Sequence, residues 1–487
     1  MRCLISILAG CILIIPAKGA CGNESSQKQP NIVMIVVDDM RFDEFGAGGH
    51  PFLETPHIDQ LAHEGVNFSR AYHVSPLCSP NRASLLTGQY PSRHGVVDNT
   101  SRSNLSHRLE LFPRLLQSAG YRTAHIGKWH MGNDPTPRLG YDYWLSYSGQ
   151  GKLVNPELYE EGKIREVKGY ITDILTARAL KFINDSAQRP FFLYVGHKAV
   201  HPEASQRDDG SADLSVQRKY IPAKRHEGRY KNAEVPILGP YPVKNEVSPL
   251  IESLSIRKTL EQSDERWDTW INSGFSKDTV RKRAEMMLAV DDSLGQIVQT
   301  LKEQALLDNT LIIFTSDNGY FYGEHGLTIE RRYPYEEAIK APLIIKPPKT
   351  QNILRHADLE NMLVSSIDLA PTILSYANIE IPTFIQGRSF YSALEGVDKH
   401  TRDAVFIEYF AHENPFIWTA KVDYKAVIVG PYKLVKWILY DNEYELYNLQ
   451  DDPQELNNLA KQPAYKTKFT FMLGILKTET LNALGMN

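Results

Sequence analysis

Several reactive side chains in this 487-residue sequence stand where folded elements would begin or end. Cys78 opens the run CSPNRASLLTG, in which Arg82 follows four residues later and an apolar stretch reads as the first turns of a helix. A cysteine in that place is either a small buried hydrophobe or a nucleophile. Asp38 and Asp39 close a continuous apolar run, Ile32 to Val37, rich in β-branched residues and read as a buried central strand. Adjacent carboxylates repel, so there they call either for a cation or for a solvated turn. Leu311 to Phe314 reads as a second buried strand and leads into another acid–amide pair, Asp317 and Asn318. These four side chains offer oxygen and no local Cys/His pattern, a donor set for calcium or magnesium rather than zinc. Lys128 and His130, two apart in GKWHMG, would point the same way on an extended segment. His197 ends the apolar run FFLYVGH and His201 follows shortly. Histidine titrates near neutrality and suits proton transfer, although each of these also reads as an ordinary structural histidine.

The elements that must position these groups alternate. Thr55 to Glu64, Leu109 to Ser118, Gly169 to Ile183 and Lys282 to Leu301 read as amphipathic helices, and Met362 to Ala377 as a further helix. Tyr121 to Ile126, the run from Phe191 and Pro342 to Lys346 read as strands. This pattern implies an α/β fold with a large mixed, mostly parallel sheet sandwiched by helices. Residues 202–260 are rich in polar, proline and glycine positions and read as long loops around a pocket mouth. Four short strands follow at Ala404 to Tyr409, Lys425 to Gly430, Tyr432 to Trp437 and Tyr444 to Tyr447. They imply a smaller C-terminal antiparallel sheet, with a soft boundary near residue 395: a catalytic domain over 30–395 and a subdomain over 396–487. Asp451-Asp452-Pro453 reads as a helix start, with Glu455 available to its first turn.

Apolar residues make up 42% and charged residues 23% of the chain, enough for a substantial core in a globular protein. The net charge of -4 gives no reason to expect a nucleic-acid partner. Residues 1–20, with Arg2, an apolar stretch and small residues at Ala17, Gly19 and Ala20, read as a secretory signal peptide, and 21–29 as a linker. Ala20-Cys21 also permits a lipoprotein-type start with a lipid anchor on Cys21. Either way the protein is expected to be exported, to the periplasm or to the cell envelope of a bacterium. Of the four cysteines, Cys3 and Cys11 leave with the signal and lipidation would occupy Cys21. Cys78 is then a lone thiol, which argues against a disulfide scaffold.

The run from Cys78 to Gly88 resembles the signature of the type I sulfatases, Cys-x-Pro-x-Arg followed by Thr-Gly, in an alkaline phosphatase-like fold. The likeness extends to Asn31-Ile32 with Asp38-Asp39, to Gly127-Lys128-Trp129-His130, to Ser316-Asp317-Asn318-Gly319 and to the closing ELYNLQDDPQELNNL. It implies that Cys78 is converted to formylglycine by a formylglycine-generating or radical maturation enzyme. The hydrated aldehyde keeps a second hydroxyl that expels the sulfate, where a thiolate adduct would have no easy exit. It further implies that Asp38, Asp39, Asp317, Asn318 and the modified Cys78 bind a divalent cation, usually Ca2+, with Mg2+ allowed by the same donors. Arg82 would hold the formylglycine and the metal ligands. Lys128 would contact sulfate, His130 assist the diol, and His201 protonate the leaving oxygen or hold the ester. The sequence departs from the family at ERRYPYEEAIKAP. There Arg331 takes the place of a common lysine, and Lys340 falls where the family often has arginine. Arginine keeps the charge but is a poor proton donor, so any acid role passes to His201. His201 also runs directly into Pro202 where many members have one residue between. Arg331, His197 and Lys340 are the candidate substrate-binding residues.

The expected activity is hydrolysis of a sulfuric ester, with a sulfated saccharide as substrate. Hexosamine 6-sulfate, hexosamine N-sulfate, galactose sulfate and uronate sulfate all remain open, and segments 145–165, 200–245 and 410–440 are expected to read the sugar. A phosphoester or phosphonate monoester hydrolase of the same superfamily, or a non-catalytic glycan-binding relative, are the competing readings.

Overall fold

The computed structural model describes residues 29–100, 102–208, 213, 216, 218–236, 276–327, 331–349, 359–398, 402–411 and 421–486. The signal-peptide, lipid-anchor and linker expectations fall almost wholly on residues 1–28, outside the described residues, as do 237–260 of the expected long loops and 412–420.

Nine strands form the main sheet, in the order β2-β10-β9-β1-β8-β4-β5-β6-β7. They are β1 (Asn31–Val37), β2 (Val66–Asn67), β4 (Arg122–Gly127), β5 (Tyr143–Ser146), β6 (Glu157–Glu160), β7 (Lys163–Glu166), β8 (Phe191–His197), β9 (Thr310–Ser316) and β10 (Leu343–Lys346). β3 (Arg70–Tyr72) pairs with β11 (Leu363–Ser365) in a separate short ribbon. The five central strands, β9 through β5, run parallel, and the edges turn antiparallel.

The unbroken apolar run of β1 follows from its place. Every residue is buried, because helices cover both faces of a parallel sheet. Val33, Ile35 and Val37 face a layer that includes α1 (Pro56–Glu64), α4 (Ile171–Asn184) and α5 (Lys277–Glu303). Ile32, Met34 and Val36 face one that includes α2 (Cys78–Thr87), α3 (Phe112–Ser118) and α7 (Leu369–Tyr376). Asp291, read from sequence only as part of the long helix, accepts the backbone N–H groups of His57 and Ile58 and so caps α1.

Strand register gathers the chemistry. Val37 pairs with both His197 and Ser316, and Gly127 pairs with Gly196. The chain therefore leaves β1, β8, β9 and β4 at one level, the carboxyl edge where open α/β sheets place their sites.

β12 (Ala404–Tyr409), β13 (Tyr424–Val429), β14 (Tyr432–Trp437) and β15 (Tyr444–Asn448) form an antiparallel sheet in sequence order. One face packs Val405, Ile407 and Trp437 against Tyr72, Leu77, Phe321 and Tyr335 of the larger body. The other is covered by α8 (Lys466–Leu484), through Met472 and Leu476.

Three local expectations are corrected. The segment from Met362 is not one helix: β11 comes first, and a capping box between Ser365 and Asp368 starts the helical turns that run into α7. Asp452 does not open a helix around Glu455. Glu455 has left-handed φ, 55°, its side chain is buried, and the terminal helix begins at Lys466. The segment after β4 is not extended throughout, since His130 also has left-handed φ, 57°.

Candidate active site

Cys78 is the first residue of α2, where the helix leaves N–H groups unpaired and its dipole is positive. Leu77 enters extended, and Gly88 ends the helix in the left-handed region, φ 66°, donating to Ser84 O. A Cβ on Gly88 would stand 2.8 Å from Ile385, so the glycine closing the motif has a steric reason. Cys78 is fully buried, its sulfur 3.9 Å from Asp39 Oδ1. Burial pushes its thiol far up, so an unmodified Cys78 is a poor source of thiolate.

Three carboxylates meet beside it: Asp38, Asp39 and Asp317 come within metal-sharing distance of each other and of the Cys78 sulfur. A like-charge contact near 4 Å costs about 4 kcal/mol at an effective dielectric of 20, so the arrangement needs cations. Each acid has one. Lys128 Nζ donates to Asp38 Oδ2, and also to Gln150 Oε1 at 2.7 Å. Arg331 Nη1 donates to Asp39 Oδ2 at 3.0 Å. Arg82 Nε donates to Asp317 Oδ2 at 2.7 Å, while its Nη1 reaches Lys128 O at 3.0 Å. The balance is incomplete at Asp38, whose carboxyl is raised above its usual range by burial and by Asp317 despite Lys128 and Arg82.

Asp39 has φ 59°, and this strained turn is fastened from three sides. Its N–H donates to Asp317 Oδ1 at 3.1 Å, Asn318 Nδ2 donates to its Oδ1 at 2.8 Å, and Arg283 Nη2 donates to its carbonyl at 2.6 Å. The fit of this nest to a divalent cation rests on two orphans. Asp38 Oδ1 and Asn318 Oδ1 are buried and accept no hydrogen bond. Buried oxygens without donors are costly, and a hard cation satisfies both.

The histidines divide. His201 is buried at the rim of this group, with Nε2 3.8 Å from Asp39 Oδ2 and Nδ1 donating to Pro202 O at 2.8 Å. His130 is buried too; the Gln206 amide nitrogen lies 3.3 Å from its Nε2 and its Nδ1 has no partner. Burial and then the nearby cations, Lys128 first for both, hold the two rings well below the usual imidazole range. Neither is brought to the site by two-residue alternation. The turn at His130 aims it, and Ser79 Oγ fixes that turn by donating to the His130 carbonyl.

His197 is not brought into the group. On β8 it shares a face with Phe191, Leu193 and Val195, which pack in an apolar layer, and both its ring nitrogens are buried without partners. Burial lowers it to about 4. Lys340 is likewise elsewhere: it follows the turn α6 (Glu336–Ile339), and its ammonium sits over the Phe42 ring at 4.6 Å.

Reading the sequence for reactive patterns passed over Lys198, Arg218, Arg283, Gln150 and Gln206. Lys198 and Arg218 lie near enough for their charges to act on His201. The two glutamines line a cleft of about 360 Å³ whose wall also holds Tyr147, Tyr159, Lys152 and Arg207. Because Gln150 touches Lys128 and Gln206 touches His130, this cleft adjoins the ionic group. The KAVHP run around Lys198 was the only sequence signal among them.

Comparison with known proteins agrees with this geometry. The family described as Sulfatase matches residues 30–379, and the family described as N-sulphoglucosamine sulphohydrolase, C-terminal, matches 323–479. An N-acetylglucosamine-6-O-sulfatase of Bacteroides thetaiotaomicron is 30% identical, over 94% of this chain and 88% of its own. The human N-acetylglucosamine-6-sulfatase is 28% identical, over 98% of this chain and 88% of its own. The solved structure of BT4656 with its substrate D-glucosamine-2-N,6-O-disulfate superposes with a TM-score of 0.78 at 28% identity, covering 94% of this chain and 99% of that one. With the family match spanning most of the sequence and the buried acid–cation group at the carboxyl edge of its sheet, this chain belongs to the sulfatase family.

Proposed function

We propose that the chain hydrolyses the sulfate ester of a sulfated carbohydrate, with 6-O-sulfated N-acetylglucosamine as its first candidate substrate. The supporting observation is the closed ring of Arg82, Lys128 and Arg331 on three carboxylates beside a helix-starting cysteine. Three cations already balance three acids. Adding a divalent cation, with Arg218 close by, makes the pocket net positive, as a sulfate monoester requires. The substrate class follows the relatives named as N-acetylglucosamine 6-sulfatases.

Asp38, Asp39, Asp317 and Asn318 would hold the cation, calcium or magnesium, which would polarise a sulfuryl oxygen and neutralise growing charge. Cys78, matured to formylglycine, would supply a nucleophilic hydroxyl and a second one for release. Lys128 and Arg331 then grip sulfate oxygens, each exchanging part of its bond to an aspartate for one to the substrate. Arg82, tied to Asp317 and to the Lys128 carbonyl, keeps α2 in register with the ligand strands. His130 is held neutral and has a ring nitrogen free to accept a proton from the residue-78 hydroxyl. His201 keeps its Nδ1 proton in a hydrogen bond to Pro202 O, so the proton handed to the leaving sugar oxygen is a second one, taken up at Nε2 from solvent as the anionic ester binds among the cations. Arg331 stays protonated at neutral pH and leaves that task to His201. The sugar occupies the cleft by Gln150 and Gln206. The first 20 residues serve export, to the periplasm or to a lipid anchor at Cys21.

The test is sulfate release from sulfated mono- and disaccharides by protein co-expressed with a maturation enzyme, with Cys78→Ala as control and matched aryl sulfate and phosphate esters alongside. Release from one ring position, lost in the variant, is the expected result. Preferred turnover of the phosphate ester would replace this reading with the phosphoester one.

A further inference from the structure

Lys198 is a buried cation that the steps above do not use. Its side chain is fully enclosed, and Nζ donates to Pro202 O at 2.9 Å. His201 Nδ1 donates to the same oxygen at 2.8 Å. A carbonyl oxygen only accepts, so both of its lone pairs are engaged, one by each side chain. This fixes the His201 tautomer, with the proton on Nδ1, and leaves Nε2 facing Asp39.

The backbone around the shared carbonyl is tied to the site. Asp38 N–H donates to Ala199 O at 3.0 Å, Val200 N–H returns a bond to Asp38 O at 2.8 Å, and His201 N–H donates to Lys198 O at 3.0 Å. The loop that carries His201 is thus anchored to the residue that opens the acid pair. The ring itself is oriented by one acceptor, and that acceptor is held by one ammonium. Buried without a carboxylate partner at hydrogen-bond distance among the described residues, an ammonium is expensive to keep, so its retention there points to a task. Burial, then Lys128, pulls it down to about 7, and the neutral amine still has N–H groups for Pro202.

We propose that Lys198 is a positioning residue for the leaving-group step: by holding the Pro202 carbonyl it sets the plane of the His201 imidazole, so that Nε2 meets the sugar oxygen as the S–O bond breaks. This rests on the assignment of His201 as the proton donor to that oxygen. The ring acts from its doubly protonated form. Nδ1–H stays on Pro202 O, and a second proton, taken up at Nε2 from solvent as the anionic ester enters, passes to the sugar oxygen as the S–O bond breaks. The sugar departs as the neutral alcohol, the ring returns to its Nδ1–H form, and the sulfuryl group stays with the nucleophile.

The test uses matured, metal-loaded protein and two substrates that differ in their need for a proton. 4-Nitrophenyl sulfate has a leaving group that departs well unaided; a sugar 6-sulfate does not. Lys198→Met keeps the length and apolar stem and removes the donor. The expected result is a fall in kcat of about tenfold or more on the sugar sulfate, a part of the usual general-acid contribution, with less than about threefold on the aryl sulfate and KM little changed. Lys198→Met combined with His201→Ala should be no slower than His201→Ala alone, because both remove the same contribution. Equal losses on both substrates, or losses that multiply in the double variant, would overturn the inference. If His201→Ala itself shows no preference between substrates, the assignment of His201 falls first and this inference with it, a pattern distinct from failure at Lys198 alone. Should Lys198→Met fail to fold by thermal melt, Lys198→Gln retains a donor: a near-normal ratio between the two substrates supports the proposal, and a uniform loss refutes it.

Discussion

Two buried clusters of acids in this molecule solve the same electrostatic problem in opposite ways. At the sheet edge, Asp38, Asp39 and Asp317 each hold a separate cation, and oxygens of Asp38 and Asn318 are left without donors. Under the C-terminal sheet one ammonium, Lys433, faces both Glu455 and Glu336 among the described residues and also donates to Pro334 O at 2.7 Å. Glu455 Oε2 accepts the Glu336 N–H at 2.8 Å, and nearby Glu445 accepts from Tyr335, Trp437 and Tyr447. Here acid exceeds base, and burial moves the excess toward protonation: Glu337 and Glu455 are both raised to about 8. The first cluster pairs each acid with its own cation and keeps two acceptor oxygens open to a further one. The second neutralises itself and fastens the segment after Arg331 to β14. Proximity of His325, Glu337 and Glu455 resembles a metal site by distance alone. Counting donors and resident cations separates it from the cluster at the sheet edge.

The largest test of this contrast is metal dependence. Asp317→Asn should cost about 10³-fold in kcat, as for loss of a preorganised charge in an active site, and should weaken reactivation by calcium after chelation. Glu337→Gln should leave the calcium requirement of the enzyme unchanged. A titration of sulfate release against free calcium for both variants decides it, and a shifted requirement in Glu337→Gln would erase the distinction.

Stability should follow the other cluster. Lys433→Met removes the ammonium that, among the described residues, donates to Pro334 O and pairs with Glu336 and Glu455. It should destabilise the fold by about 1–3 kcal/mol, the usual cost of leaving buried acceptors without their donor, since Glu455 takes up a proton instead of standing as an unpaired charge. Denaturant unfolding measures this. Turnover by the fraction that remains folded should change little, since Lys433 touches Pro334 and Glu336 but none of the groups around Cys78. A fall in kcat as large as that of Asp317→Asn would mean that the two regions are one.

Glu455 gives this cluster its pH signature. Its folded pKa, about 8, lies above the unfolded value near 4.5, with burial the main cause, Lys433 opposing it and Glu336 adding to it. The folded state therefore holds a proton that the unfolded state has lost. That contribution is full below pH 4.5 and disappears as pH rises toward 8, at up to about 1.4 kcal/mol per unit. Glu455→Gln, which cannot ionise, should flatten the decline between pH 5 and 8 in melts taken across that range. An unchanged slope would show that Glu455 is already charged against Lys433.

The same contrast explains what could be read from the sequence. The acid pairs were legible because each directly follows a strand whose burial shows as an unbroken apolar run, and Cys78 because a helix start is written in local composition. The order of strands and helices was legible for the same reason. What failed was turn geometry: no period announces the left-handed φ of His130 or Glu455, and the Ser365–Asp368 capping box sat inside an apolar stretch that reads as plain helix. What was invisible were residues that match no motif and whose task depends on distant segments meeting. Arg283 reads as one more polar position on a long helix, yet it holds the Asp39 carbonyl and Glu44. His197 misled for the opposite reason, since strand alternation turns it into the apolar layer.

The smallest expected effect lies between the ionic group and solvent. Gln206 adjoins His130 on one side and lines the cleft proposed for the sugar on the other, as Gln150 does for Lys128. A neutral amide there adds no charge to the sulfate grip, so its contribution is that of a hydrogen bond, about 0.5–1.5 kcal/mol. Gln206→Ala should accordingly raise KM for a sugar sulfate by about two- to tenfold and leave KM for 4-nitrophenyl sulfate within about twofold, because the aryl ester offers no sugar hydroxyl to bind. Steady-state kinetics on the two esters read this directly. If instead kcat falls on both, Gln206 works through His130 and belongs with the charged group rather than with the cleft proposed for the sugar.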